Sequence, residues 1–194
     1  MTKTALLLVD IQNDYFPGGK NELQGSLEAS QQAQRLLDIF RLGGKPLVHI
    51  QHVSIRPGAR FFLPGTEGVE IHPNVKPLEG EVVIQKHYPN SFRDTPLLEH
   101  LQKEAITRLV IAGMMTHMCV EATTRAAYDL GFECLVASDA CASRELAFED
   151  QIIPAEMVHS AALAALNNTY AKALRTTEII ILLEAEQEFE GEQA

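Results

Sequence analysis

The chain has 194 residues, of which 46 % are hydrophobic and 22 % charged, and its formal net charge is −10. That length suits one domain and that composition a globular protein. The acidity leaves no electrostatic footprint for nucleic acid or anionic lipid. The three cysteines, Cys119, Cys134 and Cys141, are odd in number and form no close pair. That count argues against a disulfide framework and against a zinc site.

The first apolar run, Ala5–Val9, predicts a strand that stops at Asp10. It is too short for a signal peptide or a membrane span, so a cytoplasmic location is the expectation. Further strands are predicted at Pro46–Gln51, Glu81–Gln85, Arg108–Ala112, Glu133–Ala137 and Glu178–Leu182. Helices are predicted at Ser26–Leu42, Leu97–Glu104, Val120–Leu130 and Pro154–Thr169. Between the second and third strands, residues 51–78 are rich in Pro and Gly and have no clear period. A connection that long in a compact domain is usually functional or a partner surface. Continuous apolar strands separated by helices indicate a parallel sheet covered on both faces. The expected fold is therefore α/β, a doubly wound three-layer α/β/α sandwich with a mostly parallel six-stranded sheet. It fills residues 1–183 as a single domain, and 184–194 (EAEQEFEGEQA) reads as a frayed, solvated acidic tail.

Ligands of such sheets bind beyond the carboxyl ends of the strands. Asp10, Lys86 and Cys119 all fall there, on three different strands. Cys119 stands between a strand and a helix, where the helix N-terminus favours an anion and lowers a thiol pKa. Each residue alone has a plain reading. Asp10 could be a general base, a metal or phosphoryl aspartate, or a turn residue. Lys86 could be a solvated strand end, and Cys119 ordinary core. Together they supply a nucleophile, a base and a charge partner. Nucleotide binding is not expected, because no G-x-G-x-x-G or G-x-x-x-x-G-K-[ST] is present. His49, His52, His72, His87 and His117 lack the helical i, i+4 spacing of a zincin site.

Three separated motifs resemble the isochorismatase-like cysteine hydrolase superfamily, which includes nicotinamidases, N-carbamoylsarcosine amidohydrolases and isochorismatases. They are the opening run Leu7 to Phe16 (LLVDIQNDYF), Lys86 with Asn90-Ser91-Phe92, and Gly113-x-x-Thr116-x-x-Cys119-Val120. The resemblance implies a catalytic triad of Asp10, Lys86 and Cys119. It implies a non-proline cis peptide, which carried over falls at Met114–Met115. It implies an oxyanion hole from the N–H groups of Met115 and Cys119. Metal-binding nicotinamidases have an Asp-x-His after the second strand, where this chain reads His52-Val53-Ser54. His72 could match a later histidine of that set, but the set is incomplete, so neither a catalytic metal nor another cofactor is expected.

The leading expectation is a metal-independent cysteine hydrolase of a small amide or related C–N bond. An isochorismatase acting on a vinyl ether is the alternative, and a thiol sensor on the same fold a third reading. Phe16, Phe61, Tyr88, Phe92 and His117 are candidates for the substrate wall. The segment Arg56–His72 is a candidate lid or oligomer contact. The expected partners are a small-molecule substrate and further copies of the chain, as a dimer or tetramer, with no membrane and no nucleic acid.

Overall fold

The computed structural model describes residues 2–191. Five crossings of the chain build the body of one sheet. They are β1 (Thr4–Val9), β2 (Leu47–His52), β3 (Val82–Lys86), β4 (Arg108–Met114) and β5 (Glu133–Ala142). A short β8 (Lys172–Leu174) closes the edge, and the spatial order is β3-β2-β1-β4-β5-β8, every pair parallel. Helix α1 (Ser26–Leu42) packs on one face with α5 (Thr176–Gly191), while α2 (Leu97–Lys103), α3 (Glu121–Asp129) and α4 (Ala155–Leu166) supply the other.

β1 shows why the sheet needs both layers. All six of its residues are buried. Leu6 and Leu8 point into the α1 and α5 layer, whereas Ala5, Leu7 and Val9 point into the opposite one. A strand with period-two side chains and two apolar faces is stable only between two helical layers.

Strand order reverses between β1 and β4, and this is the crevice in which doubly wound sheets bind ligands. Register aligns the strand ends there. Val9 pairs with both Ile50 and Gly113, and His52 pairs with Lys86. Gly113 is required at that point: a Cβ on it would lie 2.0 Å from the Val9 carbonyl oxygen, and its φ is 145°.

Three expectations need correction. Glu178–Leu182 is part of helix α5, not a strand. Its buried residues, Ile179 and Leu183, are four apart while Ile181 is 65 % exposed, so the helical period governs this apolar run. The sixth strand is the three-residue Lys172–Leu174, paired to Leu135–Ala137. Residues 184–191 of the expected tail continue α5, and Glu186 there pairs with Arg108 at 2.7 Å. The rest of that tail, 192–194, lies outside the described residues. A hairpin of β6 (Leu146–Phe148) and β7 (Gln151–Ile153) was not foreseen. It has no apolar alternation long enough to signal a strand. The 51–78 connection is irregular as expected, with two short 3-10 turns at Glu67–Val69 and Pro73–Val75.

Candidate active site

Asp10 follows β1 at φ 53°, a left-handed conformation uncommon for a residue with a side chain. Its N–H donates to Ile50 O, and its carbonyl accepts from the Gln12 N–H two residues on. The chain thus turns sharply at the strand end and leaves the carboxylate wholly buried. Lys86, at the end of β3, reaches across β2 to it. Lys86 Nζ lies 2.9 Å from Asp10 Oδ2, and both side chains are inaccessible to solvent. The ammonium donates its aligned hydrogen bond to Pro89 O at 2.7 Å, while neither Asp10 oxygen has a hydrogen-bond partner. The Lys86–Asp10 contact is therefore a close ion pair without hydrogen-bond alignment. Burial opposes the charge on Lys86, but Asp10 and Cys119 more than offset this and raise its pKa.

Cys119 lies in a single π-helical turn, Thr116–Val120, between β4 and α3. It is 4 % exposed. Burial and the neighbouring Asp10 push its thiol well above its ordinary range, against the pull of Lys86. The sequence led us to expect a lowered value from the helix N-terminus. The structure corrects this, because loss of solvent and a neighbouring carboxylate outweigh a half-charge spread over a helix end. Cys119 therefore rests as a thiol with the Asp10 carboxylate beside it.

The turn is fixed from below. Buried Thr116 donates its hydroxyl to Ala142 O (3.0 Å) and shares a 2.8 Å hydrogen bond with His159 Nδ1. Since the hydroxyl proton goes to Ala142, the His159 ring is the donor in that second bond. The Met114–Met115 peptide bond is cis. The Met115 N–H engages no backbone carbonyl among the described residues. The Asn90-Ser91-Phe92 element docks on α3: the Ser91 N–H donates to Thr123 Oγ1 at 3.1 Å, and the two hydroxyls lie 2.8 Å apart.

The structure thus brings Asp10, Lys86 and Cys119 together. The candidate wall residues separate. Phe16 is buried in the core and stacked on His72, with ring centroids 3.6 Å apart. Phe61 is 6.0 Å from the Tyr15 ring. Tyr88 lies under the Arg93 guanidinium (3.6 Å), and Phe92 packs on Phe132. The His117 Nδ1 meets Ser143 Oγ, and burial lowers the pKa of its ring.

Tyr15 was missed by sequence reasoning, and His52 was weighed there only among the histidines of a metal set. The Tyr15 phenol is raised first by burial and then by the charges of Cys119 and Asp10, which places it at the site. His52 Nδ1 is 4.0 Å from Asp10 Oδ2, with Phe62 on its other side at 5.8 Å. Adjacent Tyr15 and Phe16 are indistinguishable without knowing which way the turn after β1 rotates.

The loops are tied by two buried polar residues. Gln12 donates to His52 O and Val69 O and accepts from the His52 N–H. Asp14 accepts from the backbone N–H groups of Phe62 (2.6 Å) and Lys20 (3.1 Å). Gly68 lies so close to Asp14 that a Cβ would stand 2.2 Å from Oδ1. A cavity of about 430 Å3 beside this anchor, lined by Asn13, Arg60 and Glu67 among others, touches none of Asp10, Lys86 and Cys119.

The nicotinamidase type of metal set does not fit. Ser54 replaces its histidine. His72 is stacked on Phe16, with Nδ1 accepting from the Asn74 N–H at 3.3 Å.

A six-stranded doubly wound sheet with a buried Asp–Lys–Cys cluster at its switch point defines the class of fold and site. The Isochorismatase domain model matches residues 4–178, and the chain belongs to the isochorismatase family, whose members are hydrolases. It is 53 % identical to the isochorismatase family protein YddQ of Bacillus subtilis, over 92 % of this chain and 98 % of that one. It is 30 % identical to a maleamate amidohydrolase of Pseudomonas putida, over 73 % of each. A crystal structure described as an isochorismatase hydrolase from Oleispira antarctica superposes with TM-score 0.89 at 50 % identity, covering 93 % of this chain and 97 % of that one. Among the described residues, no helix is long and apolar enough to cross a membrane.

Proposed function

We propose that this hydrolase is a metal-independent cysteine enzyme that cleaves a small amide or a related C–N bond through a thioester on Cys119. The observation that carries this reading is Asp10. It is fully buried, neither of its oxygens accepts an aligned hydrogen bond, and one of them lies within 4.8 Å of the Cys119 sulfur. Its charge is balanced by Lys86 Nζ 2.9 Å from Oδ2, but a buried carboxylate without aligned hydrogen bonds is costly, and it persists where it has a chemical use. Here that use is proton exchange with the thiol.

Asp10 takes the proton of Cys119, and the thiolate forms a bond to the carbonyl carbon. The Met115 and Cys119 N–H groups receive the oxyanion. One such donor is typically worth about 3–4 kcal/mol of barrier. Asp10 then gives the proton to the leaving nitrogen as the C–N bond breaks. Water, deprotonated by Asp10, cleaves the thioester and restores the thiol. Lys86 holds its charge through the cycle and balances whichever neighbour is anionic. Tyr15 beside Cys119 and Asp10, with Phe62 packed on it and on His52, supports a partly aromatic wall at the cluster. The likeness to an amidohydrolase supports acyl chemistry.

The matched domain name favours a second reading, vinyl-ether hydrolysis with Asp10 as the proton donor. The test is a screen of small amides, carbamoyl compounds, lactams and isochorismate with intact-mass analysis, using Cys119→Ser as control. An acyl adduct on Cys119 and loss of turnover in the variant support the thioester. Isochorismate turnover that survives in the variant moves the assignment to vinyl-ether chemistry. Turnover of nothing, with a reactive thiol, favours the sensor. Exposed Phe148 and Ile152 on opposite faces of the β6–β7 hairpin support a homo-oligomer, which light scattering reads directly.

A further inference from the structure

Three side chains at the site offer ligand atoms of the kinds that zinc selects. The Asp10 carboxylate, a ring nitrogen of His52 and the Cys119 sulfur all lie within 4.8 Å of one another. His52 ends β2, Asp10 directly follows β1, and Cys119 sits in the π-helical turn that follows β4, so the ends of three paired strands set where the cluster forms. A tetrahedral zinc ion with bonds of about 2.0–2.3 Å needs its ligands about 3.3–3.8 Å apart. The 4.0 Å between His52 Nδ1 and Asp10 Oδ2 exceeds this by a few tenths of an ångström, within the reach of a side-chain rotation. Asp10 adds the second observation: neither of its wholly buried oxygens accepts an aligned hydrogen bond, and Lys86 Nζ closes only on Oδ2, at 2.9 Å. A carboxylate, an imidazole and a thiolate form a donor set of the borderline-soft kind.

We propose that Asp10, His52 and Cys119 bind one zinc-class divalent cation, which blocks the nucleophile. Binding breaks the S–H bond, forms the metal–sulfur bond and releases the proton to solvent. The ion is an inhibitor in this proposal and takes no part in hydrolysis. His52 is the discriminating residue, because it belongs to the chelate and to no step of the thioester cycle. The inference stands apart from the hydrolytic reading: it needs only a reachable Cys119.

The experiment uses the metal-free protein and cobalt(II) as the probe, with iodoacetamide alkylation of Cys119 followed by mass spectrometry in the same preparation. The expected result is one cobalt per chain, with a near-ultraviolet thiolate charge-transfer band and the intense visible bands of a four-coordinate ion. Cys119→Ser abolishes the charge-transfer band. His52→Ala and His52→Gln each weaken binding by at least about tenfold, as loss of a direct ligand must equal or exceed that of a second-shell partner. Zinc slows alkylation of the wild type at least about tenfold, and gives no protection in either His52 variant. Normal alkylation with no cobalt band overturns the metal site and leaves the nucleophile standing. A band unchanged in both His52 variants also overturns it. A Cys119 that neither alkylates nor binds cobalt overturns this proposal and the thioester reading together.

Discussion

Lys86 Nζ and Asp10 Oδ2 are 2.9 Å apart in a site that water does not reach, and each is the other's charge partner. Removing one charge leaves the other uncompensated, which typically costs about 3–5 kcal/mol. Lys86→Met is expected to lose stability on that scale, measured by denaturant unfolding. The double variant with Asp10→Asn should recover part of the loss. Equal stability of Lys86→Met and the wild type would show that the pair carries no such energy.

The Cys119 thiol is pushed up by burial and by Asp10, whereas Lys86 pulls it down. A raised thiol forms its thiolate later as pH rises. The iodoacetamide reaction of Cys119 should therefore keep climbing beyond pH 9, where an ordinary thiol levels off. Asp10→Asn removes a negative neighbour and should shift the profile toward lower pH. A wild-type plateau below pH 8 would contradict the electrostatic account.

Thr116 holds the turn that carries Cys119 through Ala142 O and His159. Thr116→Val keeps the volume but strands two polar groups, each worth about 1–3 kcal/mol when left unpaired and buried. The expected outcome is a lower melting temperature together with a fall in kcat larger than any change in KM. A variant with wild-type kcat and reduced stability would make Thr116 a purely structural residue.

Glu81 is held at a pKa of about 2, first by its hydrogen bond to Arg41 and also by Leu78 N–H and His49. Its folded value is below its ordinary one of 4.5. The stability it supplies is present above that ordinary value and is lost as pH falls toward 2. The stability difference between the wild type and Glu81→Gln should shrink over that interval. A difference that stays constant from pH 6 to pH 2 would remove Glu81 from the acid response.

Gly113→Ala places a methyl group against the Val9 carbonyl at the point where β1 and β4 align the site. An overlap of this kind with backbone cannot be relieved by a rotamer. It should cost more than about 3 kcal/mol or prevent folding, as read by soluble yield and melting temperature.

The sequence by itself determined the layered parallel sheet, because buried strands and amphipathic helices carry their periods in the chain. The Asp10, Lys86 and Cys119 positions were legible for the same reason: each follows an apolar run, and strand ends are where such runs stop. Local periodicity could not decide the last strand. Ile179 and Leu183 satisfy a helix only once a layer exists to receive them, and the three residues of β8 are too few to show a period. Only the tertiary structure decided which of Tyr15 and Phe16 faces Cys119, since that depends on the left-handed turn at Asp10. Only it brought His52 to the cluster, through a strand register that no local pattern encodes. It also reversed the expected direction of the Cys119 thiol. A helix end is written in the sequence, whereas desolvation and a carboxylate contributed by a strand more than a hundred residues away exist only once the chain has folded.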